Sequence, residues 1–573
     1  KKLIIKKMNP QQMAAMQAMQ GGKQQVYVLN RGQKSDEGKQ AQLGNISAGT
    51  AVADIIRTTL GPRSMLKMII DMMGQIHLTS DGNAILREIN VNHPAAKNLI
   101  DLSRTQDDQC GDGTTSVIIL AGEMLQVAEP FVHKNIHPTT VVKGYVRALQ
   151  DAIQILDKEL AIKVDLKDYD QIKKIVTATV GTKFTSRFDD LMCKLSIQAV
   201  ERVKVEINGK YEIDTKRYAK IEKIPGGSAN DCCVLDGVMF EKDVLHAKMR
   251  RRIVNPRILL LDCPLEYKKG ESMTNTNLVS EDDFEELLRL EEEYIKKCCD
   301  EIIKFKPDVV ITEKGLSDLA QAYLVRAGIS AIRRLRKTDN NRIARACGAT
   351  VVHRTSEIRE KDIGTQSGLF EVRKIGDHYF TFIEQCRDPK ACTIILRGGS
   401  KDVLNEIERN LHDAIAVVRN LYLDSRIVVG GGATEMALSK RLMDRSKSIV
   451  GLEKLPYQAV ALALEIIPKT LADNCGAKTI RVITNLRAKH AESGNETFGI
   501  NGMTGEVTDM TTLNIYETYG VKEAVLQTAI ECAASLLRID RVVTGIDQNV
   551  GAAPNAPSTG ATPFGHRPNM GAV

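Results

Sequence analysis

The chain has 573 residues, of which 43 % are hydrophobic and 26 % charged, and carries a formal net charge of +7. That length predicts several domains with ample apolar residues for their cores, and so small a charge does not by itself indicate a nucleic-acid or membrane partner. With no tryptophan and an aromatic content of 4 %, base-stacking platforms are disfavoured.

The opening residues Lys1 to Lys7 have an apolar core too short for a signal peptide, and residues 1–24, rich in Met and Gln, are expected to form a flexible arm. From Ser47 to about Ala148 the pattern is mainly helical. Val52, Ile55, Ile56 and Leu60 recur at helical spacing until Gly61-Pro62 stops the run. Gln75 to Thr79 alternates like a strand and ends in a turn at Ser80-Asp81-Gly82. One helix is expected after Gly113 and another after Pro138. No apolar run of about 18 residues is evident, so no membrane span is expected.

The middle of the chain changes character. Ile258–Leu261 and Val309–Ile311 read as short buried strands, and Glu281–Asp300 and Leu316–Ala327 as helices, an alternation that indicates an α/β layer structure. Ser280 is placed to cap the first of these helices. A hairpin is expected from Tyr379–Ile383 and Cys392–Leu396. From Val403 the helical pattern returns and runs to about Val543, broken by Gly430-Gly431-Gly432. Residues 546–573, rich in Gly, Ala, Pro, Asn and Thr, are expected to be disordered. The outline is helical, α/β, helical: a mixed domain inserted between two halves that could pack together, with Pro225-Gly226-Gly227 as one candidate joint.

Gly111-Asp112-Gly113-Thr114-Thr115-Ser116 carries the most specific chemistry. Two glycines let the backbone approach a bulky ligand, and amides at a helix start favour an anion. The hydroxyls add hydrogen bonds, and the aspartate can hold a divalent cation that accompanies phosphates. A metal-bound polyphosphate fits that set, although the Gly-x-x-x-x-Gly-Lys-Ser/Thr loop is absent. Taken singly, other candidates are weaker: Asp81 precedes glycine in a common turn dipeptide, Asp413 sits on a helix where solvation is usual, and the triple glycine reads as a turn. The basic clusters Lys248–Arg252 and Arg333–Lys337 read as solvated faces. Twelve cysteines without a C-x-x-C pair suggest buried thiols in a reducing compartment. Neither H-E-x-x-H nor G-x-S-x-G occurs, so zinc-protease and serine-hydrolase chemistry are disfavoured.

In combination and in this order, Thr59–Pro62, Asp81-Gly82, Gly111–Ser116, His412-Asp413-Ala414 and Gly430–Gly432 resemble the ATP site of the group II chaperonins, over about residues 25–545. Leu265–Ser272, Lys337–Cys347 and Pro389–Ile394 are similar to one subunit type of that family's eukaryotic cytosolic member. The resemblance implies a multidomain α and α/β chaperonin fold. A mostly helical equatorial ATPase domain would span 25–152 and 420–545, and a small intermediate domain 153–219 and 383–419. An inserted α/β apical domain would span 220–382 and bind substrate, with a helical lid protrusion near 264–289.

The same resemblance implies a cytoplasmic Mg-dependent ATPase with ATP/ADP and Mg²⁺ as cofactors. Its partners would be other subunits of a hetero-oligomeric double ring, eight per ring, and non-native clients such as actin and tubulin, with no nucleic acid and no membrane. Residue by residue, Leu60, Gly61 and Pro62 would lie against the phosphates, Asp112 would ligate Mg²⁺, and Gly113, Thr114, Thr115 and Ser116 would donate to phosphate oxygens. Thr182 and Lys183 would sense the γ-phosphate. Gly431, Gly502 and Glu517, with Lys522 nearby, would line the adenosine end. Asp413, assisted by Asp81, would polarise the attacking water.

Overall fold

Pro94 and Pro138 each occupy the first turn of a helix, and the histidine before each one caps it. His93 Nδ1 accepts from the Ala95 N–H at 3.2 Å, and His137 Nδ1 from the Thr139 N–H at 3.3 Å. These helices belong to a computed structural model that describes residues 35–543 apart from 71–73, 75, 90, 167, 182–188, 268–280 and 493. The expected N-terminal arm, the C-terminal tail, the Ser280 cap and the Thr182-Lys183 pair lie outside the described residues, as does half of the expected lid segment.

The chain divides into a small unit, residues 1–42 with 539–573, and a large one, residues 43–538. In the described part of the small unit, Ser35–Glu37 pairs antiparallel with Arg541–Val543. The Gly38 N–H donates to Asp540 O at 2.6 Å, and Glu37 is ion-paired with Arg541.

Within the large unit, the helices Thr114–His133, Pro138–Ile155, Lys454–Leu464 and Tyr519–Leu537 pack against one another. Tyr145 is fully buried there and donates its hydroxyl to Met124 O at 2.7 Å. Contrary to expectation, the 20-residue helix Thr114–His133 is long and apolar enough to cross a membrane by length and composition. Its run Val117–Ala121 is instead covered by neighbouring helices and fully buried.

A second core draws on two distant stretches, from Val164 to Cys232 and from Cys392 to Ile427. Its sheet sets Cys392–Gly398 parallel to Ala219–Pro225 and antiparallel to Cys233–Leu235. A third core lies between Val238 and Ala391. There Ile258–Leu261 and Val309–Thr312, all buried, run parallel in a four-stranded sheet with Ser330–Ile332 and Val351–Val352. The helices Glu281–Ile303, Asp318–Arg326 and Lys337–Cys347 accompany it, so the α/β reading holds.

Three local expectations are corrected. Tyr379–Ile383 and Cys392–Leu396 do not form a hairpin. His378–Glu384 turns back instead on Leu369–Ile375 through Gly376-Asp377, where Gly376 has φ +64°, while Cys392–Gly398 belongs to the other sheet. The stretch after Val403 is not helical throughout: Arg426–Val429 is a strand paired with Tyr516–Thr518 and Ile162–Lys163, and Phe498–Ile500 pairs with Val507–Asp509. Ser80-Asp81-Gly82 is no simple turn, because Asp81 caps the helix Gly82–Glu88. The twelve cysteines are all free thiols, most of them buried.

Candidate active site

The loop after Thr59 is held from the far end of the chain. A short helical turn, Arg57–Thr59, closes with the Thr59 hydroxyl donating to Ile56 O at 2.7 Å. Gly61 follows with φ +90°, and a Cβ there would lie 2.7 Å from Leu471 Cδ2, so only glycine fits without displacement. Asn474, at the end of the helix Ile466–Asn474, donates Nδ2 to Arg57 O at 3.0 Å and to Leu60 O at 2.8 Å. Gly502 approaches so closely that its Cβ would fall 2.5 Å from Pro62 Cδ.

The second loop joins the helices Pro94–Gln109 and Thr114–His133. Gly113 takes φ +77° and leaves the new helix without a side-chain cap, so its first amides remain available to an anion. Asp112 Oδ1 accepts from the Gly113 N–H at 2.7 Å, and Gln106 Nε2 holds Asp112 O at 3.1 Å. Asp81 sits beside them, accepting from Asn83 N at 3.3 Å, Ala84 N at 3.1 Å and the Thr114 hydroxyl at 3.4 Å. Behind it, burial and then the Asp81 charge push the Asp107 carboxyl above its ordinary value, against the pull of Arg87 and the Asn83 amide.

Asp413 comes from the helix Lys401–Leu423, capped by Ser400, which accepts from Asp402 N at 3.3 Å. It lines a cavity of about 100 Å³ together with Gly61, Asp81, Asp112, Thr114, Thr115, Ser116 and Asn410. Three carboxylates thus share a small space whose described lining contains no basic side chain. A second cavity of about 930 Å³ shares Leu60, Gly61, Asp112, Gly113 and Ser116 and continues past Pro62, Gly431, Gly502, Glu517 and Lys522. Its walls include Ile467, Leu471, Ile500 and Ile515. The smaller cavity is lined mostly by polar groups and the larger combines these aliphatic walls with charged side chains, so the pair suits an elongated ligand with a polar tail.

Lys522 and Glu435 are both about 4 % exposed and paired at 2.5 Å, and Lys522 also reaches Glu517 Oε2 at 2.6 Å. Burial opposes the ammonium charge, but Glu435 and Glu517 outweigh it and hold Lys522 above the ordinary lysine value. Although Asp81, Asp112 and Asp413 line one cavity, among the described residues no three His, Cys, Asp or Glu side chains stand so as to hold one metal ion. A cation beside Asp112 would therefore depend on ligand oxygens for much of its shell, which is how Mg²⁺ binds with phosphates.

Every candidate site residue within the described part of the chain lines one of these two cavities. Sequence reasoning missed Asn410, one helical turn before Asp413, and Glu435, three residues after the triple glycine. It also missed Asn474, as well as Lys173 and Lys174, which line the larger cavity from the helix Tyr169–Val180. Helical spacing from Asp413 could have pointed to Asn410; no motif marks the others.

Over most of its length the chain is similar to known proteins. The profile of the TCP-1/cpn60 chaperonin family matches residues 52–546. T-complex protein 1 subunit gamma of Drosophila melanogaster is 57 % identical over 543 residues, covering 94 % of this chain and 99 % of that protein. The human protein of the same name is 57 % identical over 91 % of this chain and 96 % of its own length. That of Thalassiosira weissflogii is 58 % identical over 91 % and 98 %. This gamma type is the subunit that the central segments Leu265–Ser272, Lys337–Cys347 and Pro389–Ile394 resemble.

Proposed function

The chain belongs to the TCP-1/cpn60 chaperonin family, and on that footing we propose that it is an ATP-hydrolysing subunit of a hetero-oligomeric double ring. Eight subunits form each ring, and the assembly encloses and folds non-native cytosolic proteins, actin and tubulin among them, with hydrolysis driving lid closure. Residues 25–152 with 420–545 form the equatorial ATPase domain, 153–219 with 383–419 the intermediate domain, and 220–382 the apical domain.

One observation carries this reading: Asp413, on a helix roughly 300 residues further along the chain, lines the same small cavity as Asp81, Asp112 and the Gly113–Ser116 helix start. The open amides of that start and the hydroxyls of Thr114, Thr115 and Ser116 bind the phosphates. The loop Leu60–Pro62 closes over them, while Gly431, Gly502 and Glu517 take the nucleoside end. Mg²⁺ at Asp112, when bound, neutralises phosphate charge that three carboxylates would otherwise repel. Asp413 accepts the proton of the attacking water, with Asp81 orienting it. Thr182-Lys183 senses the γ-phosphate. Placing the base on another segment makes turnover wait for that segment to dock.

Assembly with further subunits has support in an exposed apolar hairpin. Met68, Ile70, Ile76 and Leu78, on the pair Lys67–Ile70 and Ile76–Thr79, are 50–68 % exposed, more than a lone surface residue explains. Light scattering of the purified native particle tests the reading. A mass of roughly one megadalton with Mg-dependent ATPase activity supports it, and an active lone chain of 63.2 kDa overturns it.

A further inference from the structure

The helix that carries Asp413 is fastened to the loop that carries Asp112 at a place neither carboxylate occupies. Asn420 Nδ2 donates to Cys110 O at 2.8 Å, and Arg419 donates to Gln109 O and, at 3.1 Å, to Asn420 Oδ1. One turn nearer to Asp413, Ala416 rests on Gly111, where a Cβ would fall 2.3 Å from the Ala416 Cβ. Positions 413, 416 and 420 follow i, i+3, i+7 spacing and share one face of the helix. The carbonyls of Gln109 and Cys110 close the helix Pro94–Gln109 and lack partners within it. Asn420 and Arg419 supply those partners from another segment, immediately before Gly111 and Asp112.

We propose that Asn420 is a positioning residue for hydrolysis: its bond to Cys110 O, with Ala416 seated on Gly111, sets the register at which Asp413 enters the cavity lined by Asp112. The inference rests on reading that cavity as an ATPase site. Seven residues of helix separate Asn420 from Asp413, about 10 Å along the axis. A slide or tilt at the fastening is therefore passed to the carboxylate by a rigid rod. Misplacement by about 1 Å costs roughly a hundredfold in rate. The fastening acts on the backbone carbonyls of Gln109 and Cys110, which do not line the cavity, so its larger effect falls on where Asp413 enters and a smaller one on the Asp112-Gly113 loop that follows. Gly111 has φ +68° and bears no side chain, which is what lets Ala416 come so near.

The test uses assembled rings carrying a tagged variant of this chain. Photo-crosslinking with an azido-ATP labelled at the α-phosphate reports both occupancy of this subunit and its conversion of ATP to ADP. Asn420→Asp keeps the shape but removes the donor. It is expected to slow conversion roughly a hundredfold with a far smaller change in occupancy and half-saturation. Gly111→Ala should also slow it, and adding Ala416→Gly should restore part of the loss, separating the contact from backbone strain at residue 111. Asp413→Ala serves as the reference. If it stops conversion while Asn420→Asp, in intact rings, converts like wild type, the positioning role is overturned. If Asp413→Ala itself converts like wild type, the ATPase reading of the cavity falls and the proposal with it.

Discussion

Lys522 Nζ lies 2.6 Å from Glu517 Oε2, and the same ammonium is held from the other side by Glu435. Glu517 remains 37 % exposed toward the cavity, whereas Lys522 and Glu435 are buried. The lysine therefore both neutralises a buried carboxylate and fixes the orientation of one that faces the ligand. Lys522→Met leaves Glu435 buried without a counter-charge, a change that typically costs about 3–5 kcal/mol. A lower melting temperature and weaker nucleotide binding are expected, and adding Glu435→Gln should recover much of the stability but not the affinity. Thermal unfolding and nucleotide titration of the double variant check this; full recovery of affinity would remove Lys522 from the site.

Asp413 and Asp112 should separate under mutation, because they reach the cavity from different segments. Asp413→Ala is expected to retain ATP while turnover falls by about two to four orders of magnitude, the usual contribution of a positioned base. Asp112→Ala should weaken binding itself and make it depend more steeply on Mg²⁺ concentration. Subunit-resolved occupancy and single-turnover conversion in assembled rings distinguish the two. Equal loss of binding in both variants would mean that Asp413 holds the nucleotide rather than the water.

The long helices were legible because their punctuation is local: Pro138 and Gly113 mark starts, and Ile258–Leu261 and Val309–Thr312 announce buried strands by composition alone. Arg426–Val429 and Tyr516–Thr518 were not, since three or four residues cannot display a period and their pairing joins segments far apart. The pairing of Cys392–Gly398 with Ala219–Pro225 was hidden for the same reason. In the site, contiguous motifs were readable because glycine, carboxylate and hydroxyl sit side by side. Asn474 and Asn420 act on backbone carbonyls, which every residue has, so no side-chain pattern records their targets.

Asp189, at the start of the helix Asp189–Val203, has its Oδ1 buried without a hydrogen-bond partner among the described residues. Burial, with Asp190 adding to it, pushes its carboxyl up to about 6 from 3.8. A raised carboxyl favours the folded state while protonated. That contribution is complete below the unfolded value and is lost as the pH rises through about 6. Asp189→Asn removes the titration, so its stability relative to wild type should improve between pH 4 and pH 7. Melting temperatures of both proteins across that range decide it; a constant offset would show that Asp189 is not a buried titrating group.

Asn474 and Gly502 tie the Leu60–Pro62 loop and the far wall of the larger cavity to one turn of the chain. Asn474 bonds the carbonyls of Arg57 and Leu60, and the next residue, Cys475, donates its thiol to Gly502 O at 2.9 Å while Gly502 rests on Pro62. Asn474→Asp preserves the volume but turns two donated bonds into repulsion between a carboxylate and two carbonyls, which releases the Leu60–Pro62 loop. Loss of buried hydrogen bonds of this type costs about 1–3 kcal/mol, so roughly a tenfold or greater rise in the dissociation constant for ATP is expected. Gly502→Ala drives a methyl into Pro62 and should produce the same defect from the opposite side. Because both changes loosen one loop, combining them should cost less than the sum of the two alone. Nucleotide titration of the single and double variants measures that coupling, and strict additivity would mean that the two residues act on separate parts of the site.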